Sequence, residues 1–182
     1  FGWKRADGTR RYREAFLFIA RKNGKTPLAA AILNTILFLD NEPGAQIYGA
    51  AGDRDQAALL FRHAAGMVRQ EPELDRRAMI YDSYKSIVLR DDRTSSYKVL
   101  SAEADTKHGG NSSAVVIDEL HVQPNRDLYD VMRTSFASAN RKQPLFINIT
   151  TAGWNRHSIC YEVYQHACRV RDGIVKDTAF LP

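Results

Sequence analysis

The 182-residue chain carries 26 basic and 21 acidic residues, a net charge of +5, and 44% hydrophobic residues. That length and apolar content suit one domain with its own core and exclude a disordered chain. No apolar run approaches the roughly 20 residues that span a bilayer, and no signal-peptide pattern opens the chain, so no membrane association is expected.

Residues 1–13 are polar and basic, with Asp7-Gly8 as a turn signal. Positive charge concentrates here and just beyond, in Lys4, Arg5, Arg10, Arg11, Arg13, Arg21, Lys22 and Lys25, against only Asp7 and Glu14. Lys4 to Arg13 fit a polyanion contact or a solvated, mobile segment equally; Arg21 to Lys25 favour phosphate contact. A strand is expected from Glu14 to Ala20 and a helix from Gly24 to Phe38, with Pro27 in the first turn, where a missing N–H costs little. After the break at Asp40 to Gly44 come a strand, Gln46 to Ala51, and a helix, Arg54 to Gln70, with apolar residues at helical spacing and Glu71-Pro72 closing it. This β-α-β-α order argues for a parallel sheet with helical crossovers.

The middle differs. Ser86 to Leu89 and Tyr97 to Ser101 flank a polar turn and predict a hairpin or small β insertion, and Glu103 to Ser113 is a polar loop. The β-branched run from Ala114 to Ile117 has the character of a strand buried on both faces and ends in Asp118 and Glu119. A helix from Arg126 to Ala139, a strand from Leu145 to Thr151 and a last helix from His157 to Val170 complete the pattern. Cys160 and Cys168, eight apart on that helix, would have Cα atoms about 12 Å apart, too far for a disulfide, and a reducing cytoplasmic setting fits. The first residue is Phe and the last is Pro after a fresh apolar run, so residues 1–182 read as one domain of a longer polypeptide.

Strand, tight turn and helix with Arg21-Lys22-Asn23-Gly24-Lys25-Thr26 at the joint is the layout of a phosphate-binding loop. Backbone N–H groups from Lys22 to Lys25 can turn inward around a phosphate, and the helix N-terminus adds partial positive charge. Lys25 can reach the β- and γ-phosphates, and the Thr26 hydroxyl is a hard ligand suited to Mg²⁺. The full pattern has a glycine five residues before Gly24, where this chain has Ile19. The Asp118 strand is expected beside the loop, with Asp118 holding Mg²⁺ and Glu119 polarising the attacking water, the two acids diverging because strand residues alternate in direction. Thr150 and Thr151 either contact the γ-phosphate or its water, or are ordinary strand-end residues.

Several features carry less. His157, Cys160, His166 and Cys168 have the composition of a zinc set, but on one helix His157 and Cys168 are about 16 Å apart, so one ion cannot collect all four. His121 is expected to pack or cap the strand end rather than catalyse, Asp91 and Asp92 to sit in a solvated turn, and Trp3, Tyr12 and Trp154 to pack rather than stack on bases.

Taken in order, Arg21 to Thr26, Ile47 to Ala51 with Asp55-Gln56-Ala57, Val116 to His121, and Thr150-Thr151-Ala152-Gly153 resemble the ATPase region of tailed-phage terminase large subunits, over nearly the whole chain. The resemblance implies a P-loop NTPase (RecA/ASCE-like) three-layer α/β fold with a mainly parallel central sheet and a small β insertion. It implies Mg²⁺-dependent ATP hydrolysis driving double-stranded DNA into a viral procapsid. The expected partners are the portal, the small terminase subunit and further copies of the chain in a ring, in the cytoplasm of a bacterial host. In such proteins the first loop glycine is commonly missing and an arginine precedes the core motif, as Ile19 and Arg21 do here. The same resemblance makes Arg21 to Thr26 the ATP-binding loop, Thr26 and Asp118 the Mg²⁺ residues, Glu119 the catalytic carboxylate, Arg21 a phosphate contact or brace for Glu119, and Thr150-Thr151-Ala152 the coupling motif. An upstream adenine motif is not evident, and the nuclease domain that follows such ATPases is absent. A trans-acting arginine is expected, with Arg93 and the Lys107-His108 loop as candidates. The competing readings are another P-loop translocase or helicase-like ATPase, and a non-enzymatic basic nucleic-acid-binding domain.

Overall fold

The computed structural model describes residues 2–101, 111–137 and 141–182. In chain order β1 (Glu14–Phe18) leads to α1 (Lys25–Leu39), β2 (Gln46–Ala51) and α2 (Arg54–Gln70). A short α3 (Pro72–Arg77) and strands β3 (Ala78–Tyr81), β4 (Ser86–Leu89) and β5 (Ser96–Ser101) follow. Then come β6 (Ala114–Asp118), a single 3-10 turn (Leu120–Val122), α4 (Asp127–Ala137), β7 (Leu145–Thr150), α5 (Ile159–Arg171) and β8 (Phe180–Leu181).

Among the described residues eight strands join one sheet in the order β3-β4-β5-β2-β6-β7-β1-β8. From β5 to β8 every pairing is parallel, and β3, β4 and β5 pair antiparallel at one edge. Alternation along β6 explains the three layers. Ala114 and Val116 face α1 and α2, packing with Leu33, Leu60 and Ile147, while Val115 and Ile117 face α4 and α5, packing with Met132, Phe146 and Val163. A parallel strand covered on both sides has no polar face, so its residues are apolar throughout.

α1 is the central helix. Apolar residues surround much of it because it is enclosed by the sheet and α2, and the Asn34 amide donates to the Ala64 carbonyl at 3.0 Å across that contact. α2 is amphipathic and begins at Asp53, whose carboxylate accepts the N–H groups of Asp55 and Gln56 at 2.9 and 2.8 Å. Close packing of β2 beneath both helices depends on Gly49: a Cβ there would fall 2.8 Å from Leu60 Cδ2 and 3.1 Å from the Tyr97 hydroxyl.

Four sequence expectations need correction. The expected β insertion is part of the main sheet: β5 pairs parallel with β2, because buried Tyr97 fills the core beside α1 and α2. Pro72 not only closes α2 but opens α3, where its missing N–H is harmless, and β3 follows at once. The Asp118 strand is beside the loop only at its carboxyl end, where Glu119 meets Lys25, because β7 lies between β6 and β1 along the sheet. Finally, Lys4 to Arg13 is no free arm. Lys4 and Arg10 form a β-bridge, Arg10 is buried against Asp40, and Arg11 donates to the Thr178 carbonyl at 2.7 Å. The helix expected through Ala139 is described as far as Ala137, and the Glu103 to Ser113 loop lies largely outside the described residues.

Candidate nucleotide-binding site

The turn between β1 and α1 has two left-handed residues, Lys22 (φ 64°) and Gly24 (φ 71°). A Cβ on Gly24 would meet nothing within 4 Å, so glycine serves conformation there, not space. Gly24 caps α1 without any side-chain hydrogen bond, and the first turn holds no acidic residue. The amino end of a 15-residue helix is thus left with unmatched N–H groups and partial positive charge. Arg21, Lys22 and Asn23 are exposed on the turn, whereas Lys25 is 6% exposed.

Lys25 Nζ lies 3.5 Å from Glu119 Oε1 and donates to the Ala20 carbonyl at 3.4 Å. The Thr26 hydroxyl lies close enough to the Asp118 carboxylate to favour its charged form. Asp118 is 2% exposed at the carboxyl end of β6, and among the described residues its Oδ1 has no hydrogen-bond partner. Burial pushes the Asp118 carboxyl above the ordinary range; the Thr26 hydroxyl opposes this, the neighbouring Glu119 charge adds to it, and Lys25 opposes it. Glu119 has already left the strand: it is left-handed (φ 54°, ψ 50°) and precedes the 3-10 turn. The two acids therefore diverge through this backbone reversal, not through strand alternation as the sequence reading had it. A left-handed Glu costs about 1–2 kcal/mol, a strain of the kind that collects at functional sites.

The Thr150-Thr151 end of β7 reaches the same place from the other side. Thr150 and Thr151 are buried and Ala152 is exposed. The link runs through His121, whose backbone N–H donates to Thr150 Oγ1 at 3.2 Å and whose Nδ1 is 3.2 Å from that oxygen and 3.2 Å from Glu119 Oε2. Burial lowers the His121 pKa, partly against the Glu119 charge and aided by Arg21 and Lys25. From sequence His121 is expected only to pack or cap the strand end, and the Asp-Glu-x-His spacing is the one hint of this contact. A cleft of about 350 Å³ opens beside this segment, lined by Phe18, Thr151, Gly153, Cys160 and Tyr164 among others, on the α5 side and away from Lys25 and Asp118.

The structure thus brings together Lys25, Thr26, Asp118, Glu119 and Thr150. Arg21 is exposed and makes no ion pair with Glu119 among the described residues; its charge is felt at His121. Arg93 lies in the turn before β5, at the end of the sheet opposite Asp118, and Lys107-His108 lies outside the described residues. Asp92 is held far below its usual range by Ser95, Thr94 and the Gly44 N–H, a structural tie of that turn. Among the described residues no group of three or more His, Cys, Asp or Glu side chains is placed to hold a metal ion, both cysteines are free, and no helix is long and apolar enough to cross a membrane. Trp3 packs edge-on against Tyr12, and Trp154 is 96% exposed.

Comparison with known proteins agrees with this geometry. Residues 1–169 match the family model for the terminase large subunit ATPase domain. The large terminase subunit of Enterobacteria phage HK97 is 38% identical over 144 residues, 78% of this chain and 28% of that protein. The crystal structure of the HK97 large terminase superposes with a TM-score of 0.80 at 30% identity, over 93% of this chain and 34% of the other. The ATPase domain of the Thermus phage P74-26 large terminase shares the fold, with a TM-score of 0.66 at 17% identity over 85% of this chain and 65% of that one. The chain thus spans about a third or less of the HK97 protein it matches, and it has the P-loop α/β fold of these domains with β7 between the acid-bearing strand and the loop strand. Both sequence and structure place this chain in the terminase large-subunit ATPase-domain family.

Proposed function

We propose that this chain binds ATP at the α1 amino end and hydrolyses it to drive double-stranded DNA into a viral procapsid. The observation that carries the reading is the convergence of buried Lys25 and Asp118 with half-buried Thr26 and Glu119 on a helix end with no side-chain cap. A basic module that merely bound nucleic acid would have no use for an acid pair, one member of it buried, at that point. In this reading the loop N–H groups of Lys22 to Lys25 cradle the β-phosphate and Lys25 reaches the γ-phosphate.

The unpartnered Asp118 Oδ1 beside the Thr26 hydroxyl is a hard-oxygen pair that fits Mg²⁺. Thr26 and Asp118 would hold the ion, directly or through its waters, and the ion supplies neutralisation of phosphate charge. Glu119 orients the attacking water and takes up its proton. In the ligand-free protein Glu119 Oε1 is occupied by Lys25. As Lys25 moves to phosphate, that oxygen becomes available to the water, so binding and activation are one event. Arg21 stands exposed on the loop, placed for a phosphate oxygen rather than as a brace on Glu119. Thr150, Thr151 and Ala152 carry the change onward, and a neighbouring copy in a ring supplies the missing arginine. Portal and small terminase subunit complete the assembly, in the cytoplasm of a bacterial host and at the procapsid.

Calorimetry of ATP binding with and without Mg²⁺ tests this. Binding is expected to be saturable, Mg²⁺-sensitive and lost in Lys25→Ala, while Glu119→Gln should bind ATP with hydrolysis lowered at least about 100-fold. Hydrolysis by Glu119→Gln at the wild-type rate would remove Glu119 from its assigned role.

A further inference from the structure

His121 stands where the acid-bearing end of β6 meets the end of β7. Its Nδ1 is equidistant, at 3.2 Å, from Thr150 Oγ1 and Glu119 Oε2. Thr150 donates its hydroxyl proton to the Thr151 carbonyl at 3.1 Å and accepts the His121 backbone N–H at 3.2 Å. A bare Nδ1 would set its lone pair against a carboxylate and an oxygen whose proton is already committed, so Nδ1 carries the hydrogen. That one N–H faces two acceptors. It is aligned on Thr150, and Glu119 Oε2 is left buried without a hydrogen bond. Gly153 packs against the base of this side chain: a Cβ there would fall 3.0 Å from His121 Cβ.

We infer that His121 is a positioning residue whose Nδ1–H, held on Thr150 in the ligand-free protein and 3.2 Å from Glu119 Oε2, can turn to that carboxylate, so that the place of the Thr150 to Gly153 segment sets the aim of Glu119. The inference rests on the ATPase reading for the role of Glu119, but the placement of that N–H does not. Once Lys25 leaves Glu119, the carboxylate takes the His121 N–H through Oε2, and a displacement at Thr150 moves that donor. A misplacement of about 1 Å at a reacting group costs up to about 100-fold in rate.

The test uses the full-length protein. In single-turnover hydrolysis at saturating Mg-ATP, His121→Ala should fall about 10- to 100-fold with ATP affinity unchanged within about twofold. His121→Asn, whose amide can offer an N–H near Nδ1, should recover most of the rate. Thr150→Val should lose as much as His121→Ala, and the double variant no more than either. Independent, additive losses, or a His121→Ala rate equal to wild type, would overturn the proposal. Should the wild type bind no ATP, the ATPase reading fails and the link is judged by nitrogen NMR of labelled histidine in the ligand-free protein. An Nδ1–H tautomer whose signal moves in both Glu119→Gln and Thr150→Val supports the link; an Nε2–H tautomer overturns it.

Discussion

Asp118→Asn should make the ligand-free protein more stable while abolishing its response to Mg-ATP. Asp118 is 2% exposed, one of its oxygens has no partner, and Glu119 is the next residue. The amide keeps the shape, can keep the Thr26 contact, and removes a buried negative charge. A buried, unsatisfied polar group costs about 1–3 kcal/mol, and more when charged; the Lys25 attraction offsets part of this. A net gain of about 1–3 kcal/mol is expected, and at about 2–4 °C per kcal/mol for a chain of this size it raises Tm by about 2–12 °C. The pH dependence has a definite sign. A carboxyl whose native pKa is raised above its ordinary 3.8 binds more protons folded than unfolded between those two values, so wild-type stability falls as pH rises through that window. The difference between variant and wild type should therefore be smallest below pH 3.8, open above it, and be complete once pH exceeds the raised native value. Thermal unfolding at several pH values, without and with Mg-ATP, measures both halves. At about 100 times Kd the nucleotide should stabilise wild type by about 2.7 kcal/mol and the variant scarcely at all. A variant less stable than wild type at pH 7 without ligand would refute the argument, since it would mean that Lys25 and Thr26 more than compensate the buried charge.

Two further substitutions separate fold from site. Gly49→Ala places a methyl 2.8 Å from Leu60 Cδ2 and 3.2 Å from Leu33 Cδ1, and should cost about 1–3 kcal/mol in denaturant unfolding; a neutral result would show that α1 and α2 can slide. Asp53→Ala removes a carboxylate that accepts two N–H groups at the start of α2, and should cost about 1 kcal/mol while leaving ATP affinity as in wild type; calorimetry showing weaker binding would implicate the α2 end in the nucleotide site.

Much of this architecture is legible locally. The bounds of β2 and α2 follow from composition and helical spacing, because both are long, periodic and closed by Asp53 and Pro72. That the Lys25-Thr26 turn and the Asp118-Glu119 strand end come together is legible because both are short runs of particular residues at the ends of apolar strands. What stays hidden depends on distant partners. β3 is four residues long and follows Arg76-Arg77, and it exists through its pairing with β4. Nothing near Leu145 to Thr150 says that this strand inserts between β6 and β1. Glu119 looks like a strand residue until its neighbours impose a left-handed backbone. His121 meets a threonine 29 residues later, a contact no local pattern encodes.

The insertion of β7 gives the site its wiring. The acid pair meets the loop directly through Lys25 and Glu119, and if β6 lay against β1 that would be the whole connection, with Thr150 a bystander. With β7 between them, the end of that strand touches both. Ile19, at the start of the phosphate loop, donates its N–H to the Thr150 carbonyl at 2.9 Å, and His121, just after the acids, donates its N–H to the Thr150 hydroxyl at 3.2 Å. One residue thus joins the loop to the acids through its backbone on one side and its side chain on the other. In the proposed ATPase reading, a change in the loop as Lys25 turns toward phosphate has this contiguous path to the acids and, through Thr151 and Gly153, to the exposed segment at Trp154. The buried, unpaired Asp118 oxygen and the left-handed Glu119 lie on the same path. Stability is given up there because a site whose charges were already satisfied would have nothing to gain from ATP.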